Sequence, residues 1–134
     1  MTIKVERTKK EFLQDDSCLA SEDLSNFKFC AVAPGGGATG NMTVGAPSGQ
    51  GVMVYAILQN TPASGEICEL TIDGITEVRI DSAITAGDEV TVAGVNGRIE
   101  TAASGDFVLG WAREAGVDAG QCISVTLSKG YYKP

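Results

Sequence analysis

The spacing of its apolar runs constrains this chain more than any other feature. From Phe27 onward, short apolar or alternating segments are cut by turn residues roughly every 8–12 positions, and no long helical period interrupts them. Phe27–Ala33 reads as a strand, and so does the apolar run Val52–Leu58 between Gly51 and Pro62. Cys68, Leu70 and Ile72 alternate with Glu69 and Thr71. Asp73-Gly74 then has the composition of a hairpin turn, with Ile75–Ile80 returning and Val78 and Ile80 facing in. Ala86-Gly87-Asp88, Asn96-Gly97 and Asp118-Ala119-Gly120 mark further turns, because Gly and Asn tolerate the positive φ that tight turns require. Between them lie Glu89–Val92, Arg98–Thr101 and the apolar stretch Asp106–Glu114, whose Trp111 is expected in the core. Ile123, Val125 and Leu127 close the series by alternation. The reading is all-β: a small β-sandwich or barrel of about eight short strands with an extended N-terminal arm.

The front of the chain differs from the rest. Residues 1–30 carry five basic and six acidic side chains, whereas residues 31–134 carry five and eleven. This suggests an arm over residues 1–30, a body over 31–127 and a tail over 128–134. Ser21 could cap a short helical turn. Deleting residues 1–26 is expected to leave the body folded. At 134 residues and 43% hydrophobic, the chain has the size of one domain and enough apolar matter for a core. No apolar run approaches the roughly 20 residues of a bilayer span, and the charged start MTIKVERTKKEFLQDD does not read as a secretory signal.

Charge and composition narrow the function classes. A net charge of −7 disfavours binding to duplex nucleic acid and to anionic membranes, where cationic side chains do the work. There is no histidine, which removes Ser-His-Asp and Cys-His catalysis and histidine-based zinc sites. The carboxylates at Asp15-Asp16, Glu22-Asp23 and Asp88-Glu89 are scattered; adjacent acids on a strand point to opposite faces and do not converge as an acid–base pair. No catalytic, cofactor-binding or metal-binding residue is assigned, and no enzyme activity is expected.

Three local features remain. Gly35–Gly40 matches G-x-G-x-x-G after a strand, but Asn41–Pro47 is no helix, so the pyrophosphate-binding amides of that motif would be missing and the segment reads as loop. Cys18, Cys30, Cys68 and Cys122 contain no Cys-x-x-Cys knuckle and are the candidates for disulfides. Cys68 falls on an apolar face. Cys122 falls opposite Ile123, Val125 and Leu127, where it could be exposed, covered by another chain or disulfide-bonded; thiols are the default without secretion. Finally, Phe12, Leu13, Phe27, Phe29, Tyr131 and Tyr132 are candidate interface residues, with the terminal tyrosines suited either to a partner or to the domain's own body.

The order of motifs in the second half is familiar. Ala83-Ile84-Thr85-Ala86-Gly87-Asp88-Glu89-Val90 is followed by Asn96-Gly97-Arg98-Ile99, then Val108-Leu109-Gly110-Trp111-Ala112, then Gly120-Gln121-Cys122-Ile123-Ser124-Val125-Thr126-Leu127. This series resembles the capsid decoration, or cement, proteins of tailed bacteriophages over residues 50–127. Residues 1–50 match no part of that pattern, and four cysteines depart from it. The resemblance implies a non-enzymatic virion structural protein, made in the host cytoplasm and placed on the outer surface of an icosahedral head. There it would bridge neighbouring major capsid subunits and stabilise the shell. Its partners would be the major capsid protein and itself, as a trimer first and a dimer second, with no nucleic acid, membrane or cofactor. A carbohydrate- or receptor-binding β-sandwich is the alternative.

Overall fold

A computed structural model describes residues 18–35 and 42–134. The all-β expectation holds: ten strands form two five-stranded sheets, with no helix among the described residues. The first sheet contains β1 (Leu19–Ala20), β2 (Ala31–Pro34), β3 (Thr43–Gly45), β4 (Ala56–Leu58) and β5 (Leu70–Thr71), in the order β1-β3-β2-β4-β5. The second contains β6 (Gly74–Arg79), β7 (Glu89–Val92), β8 (Ile99–Thr101), β9 (Phe107–Ala112) and β10 (Cys122–Tyr132), in the order β6-β10-β9-β7-β8.

Both sheets curl until their ends meet. An antiparallel bridge between Leu19 and Ile67 joins β1 to the segment entering β5. A parallel bridge between Ile80 and Ile99 joins the end of β6 to β8. Curling shields edges that would otherwise offer unpaired backbone groups to other chains.

Two cores result, and β2 and β4 form the wall between them. Ala31 and Ile57, paired across this wall, point into the larger core with Val78, Ile80, Val90, Val92, Ile99, Ile123 and Val125. Val32 and Ala56, the next pair, point into the smaller core with Cys18, Leu24, Val44, Leu58, Cys68 and Leu70. Burial of both faces explains why Val52–Leu58 reads as a continuous apolar run rather than an alternating one. Only Ala56–Leu58 of that run is ladder-paired strand.

The turns at Gly87, Gly97 and Gly120 fall where the sequence indicates, with φ of +92°, +75° and +89°. The Asn-Gly turn closes the β7–β8 hairpin, pairing Val92 with Ile99.

Four readings need correction. Asp73-Gly74 does not close a hairpin: β5 pairs with β4, β6 pairs with β10, and the chain changes sheet between them. Ser21 caps no helix; its hydroxyl donates to the Val44 carbonyl at 3.0 Å. The strand expected from Phe27 begins at Ala31, because Phe27 and Cys30 close a turn through a Cys30 N to Phe27 O bond of 2.9 Å. Residues 18–30 belong to the body: β1 pairs in parallel with β3, and Cys18 and Leu24 are fully buried. The even charge of residues 1–30 hid this, since its apolar anchors are few and widely spaced.

Candidate interaction surface

Register decides what the second sheet shows to solvent. Val78, Ile123, Val125, Val90 and Ala112 turn into the larger core, so Ile75 of β6, Thr126 of β10 and Glu89 of β7, of opposite parity, lie on the other face. On that face Ile75 of β6 pairs with Thr126 of β10, Thr126 pairs with Trp111 of β9, and Trp111 pairs with Glu89 of β7. The four form a row across four strands. Ile75 is 43% exposed and Trp111 is 44% exposed.

Trp111 is therefore a surface residue, contrary to the core position expected from sequence. Phe107–Ala112 is apolar at every position, so no alternation reveals which side chain faces out. Ile75 is legible from sequence: with Val78 and Ile80 inward, its parity places it outside.

The surroundings are polar and mostly acidic. Glu77 pairs with Ser124, and the Glu114 carboxylate accepts a bond from the Ser124 amide at 2.7 Å. Lys133 Nζ lies 3.1 Å from Glu89 Oε1 and also donates to the Ala102 carbonyl. The Arg79 guanidinium is held by the carbonyls of Lys28 and Gly120. A half-exposed tryptophan and isoleucine within a polar rim have the composition of an interface centre.

A second surface lies at the end of β10. The ladder with β6 stops at Leu127–Gly74, while Tyr131 and Tyr132 still pair with Val108 and Phe107 of β9. Ser128–Tyr132 is thus strand rather than tail. Beside it is a groove of about 350 Å³, lined by Val54, Ile57, Ile72, Phe107, Leu127 and Gly130 among others. The Phe107 and Tyr132 rings meet edge to face at 5.3 Å. Tyr131 and Tyr132 remain 42% and 61% exposed, so the pair both packs on the body and presents phenol to solvent.

The other interface candidates fare differently. Phe12 and Leu13 lie outside the described residues. Phe27 packs against the smaller core. Phe29 is half-buried with a φ of +65°, its amide bonded to Leu58 O and its carbonyl to Arg79 N, so it ties the two sheets together. Lys28 Nζ sits 5.2 Å from its ring centre.

All four cysteines are free, with Cys18, Cys30 and Cys68 buried and Cys122 half-buried. Cys68 occupies the apolar face expected of it. Burial pushes the Cys30 thiol up to about 11, against the pull of Arg79 and Arg98. The carboxylates serve turns: Asp88 accepts from Thr85 N and Thr101 Oγ1, and Asp106 from Ala103 N and Gln50 Nε2. Among the described residues, no three His, Cys, Asp or Glu side chains gather as metal ligands would.

No protein-family model matches the sequence, and no curated protein matches it. Its fold does match a solved structure, the head fiber gp8.5 N base in bacteriophage phi29. The match has a TM-score of 0.67 at 16% identity and covers 84% of this chain and 91% of that one. What the chain shares with that head fiber base is its fold.

Proposed function

We propose that this chain is a non-enzymatic structural protein of a phage virion, attached to the outer surface of the head. The fold match to a head fiber base, over most of both chains, carries this reading. The order of turn motifs in residues 83–127 independently resembles capsid decoration proteins. The protein bridges neighbouring major capsid subunits and resists their separation under internal pressure. It acts as a homo-oligomer, a trimer in the first instance. The Ile75–Trp111 face supplies an apolar anchor, and several copies of a modest contact add through avidity.

Co-sedimentation with heads that lack the protein tests attachment. Saturable binding, weakened at least tenfold by Trp111→Ala, supports it, and no binding overturns it. The carbohydrate-binding alternative also draws on Trp111, because an exposed indole beside Thr126 and Glu89 could stack on a sugar. Glycan-array binding lost in the same variant, without head binding, would favour that alternative.

A further inference from the structure

We propose that Cys18 and Cys68 are a disulfide-forming pair that locks the closing seam of the first sheet. Three observations carry this. First, Leu19 and Ile67 form an antiparallel bridge, which sets Cys18 directly opposite Cys68. The Cys68 amide donates to the Cys18 carbonyl at 2.8 Å, and the Ala20 amide to the Glu66 carbonyl at 2.9 Å. These bonds flank the Leu19–Ile67 pair and leave Cys18 and Cys68 facing each other, and facing residues of an antiparallel ladder have Cα atoms about 4.5–5.5 Å apart. A disulfide spans roughly 4.4–6.8 Å. Second, both side chains enter the same small core and are 0% exposed, and each thiol is the main influence on the other's acidity, lowering the pKa of Cys18 and raising that of Cys68. Third, the remaining cysteines are placed otherwise. Cys30 and Cys122 are not facing residues of a ladder: Cys122 is the Cα partner of Arg79, whose amide bonds to the carbonyl of Phe29, next to Cys30.

The position gives the bond a purpose. The seam is where the first sheet closes. Its strands are short, so the seam relies on few ladder bonds. A covalent link there closes a loop of about 50 residues that contains β1 to β4, and removes that freedom from the unfolded chain. Thiols in the reducing cytosol and a disulfide after release from the cell are the expected states.

The chemistry balances with a small-molecule disulfide such as oxidised glutathione. The Cys18 thiolate, favoured by the neighbouring Cys68 thiol, attacks one glutathione sulfur and expels the other as a thiol. The Cys68 sulfur then attacks Cys18 Sγ and displaces the second glutathione. One disulfide is reduced, one is formed, and the two protein thiol protons end on the two glutathione molecules. Local opening of the short seam admits the reagent.

The bond is a property of the chain alone, so its test does not depend on head attachment. The folded full-length protein is incubated with oxidised glutathione, remaining thiols are alkylated after denaturation, and the digest is read by mass spectrometry. The expected result is a Cys18–Cys68 linked peptide with Cys30 and Cys122 alkylated. The oxidised wild type should melt on the order of 10 °C above the reduced wild type, a comparison that needs no variant. Alkylation at all four cysteines, a different pairing, or a linked protein with unchanged melting temperature would each overturn the proposal.

Discussion

Ile57 faces Ala31 across the β2–β4 ladder, and both point into the larger core, while the residues beside them point into the smaller one. The two cores therefore share a wall one strand thick, and neither can loosen without exposing the back of the other.

The shared wall predicts a single cooperative unfolding transition. Ile57→Ala damages one core and Leu58→Ala the other, and both side chains are essentially fully buried. Each change should cost about 2–5 kcal/mol. Urea melts followed by far-ultraviolet and near-ultraviolet circular dichroism should stay coincident in both variants. Separate transitions would show that the cores fold independently.

Much of this arrangement was legible in the chain, and the illegible parts share a cause. Ile123, Val125 and Leu127 alternate against a solvated face, and Asn96-Gly97 demands its turn locally, so both could be read from neighbours in sequence. Asp73-Gly74 has the same local chemistry, yet Leu70–Thr71 finds its partner in β4, a choice made by long-range packing. Trp111 sits in a strand without alternation, so only the register with Thr126 and Glu89 shows that it faces out. The Cys18–Cys68 pair depends on a sheet closing on itself, and no spacing rule announces that.

Removing residues 1–26 takes away Cys18, Ala20 and Leu24 from the smaller core and the β1–β3 pairing, and should abolish cooperative melting as followed by circular dichroism. A folded 27–134 fragment would mean that the seam is dispensable.

Gly130 is needed where it stands because the Phe107 ring lies against its Cα, where a side chain would go. Gly130→Ala should cost about 1–3 kcal/mol through overpacking. It should also disturb the edge-to-face contact of Phe107 with Tyr132, visible as a shift of the Tyr132 ring resonances. An unchanged melt and spectrum would show that Phe107 can move aside freely.

Cys30 predicts a stability loss in alkali. Burial raises its folded-state pKa from 9.0 to about 11. The thiolate thus forms more readily in the unfolded chain, which binds fewer protons above pH 9. Stability is unaffected below pH 9 and falls as the pH rises through about 11. Tyr55, whose pKa burial also raises, acts in the same direction. Cys30→Ala should make the decline between pH 9 and 11 shallower in denaturant titrations, and an equal slope would refute the assignment.

The bridging role is tested most directly by the heat resistance of heads lacking this protein, measured as DNA release on warming, before and after adding it back. The wild type should raise the release temperature, Trp111→Ala should do so only at much higher concentration, and the variant's own melt should be unchanged. Wild-type protein that binds the heads and leaves the release temperature where it was would contradict it.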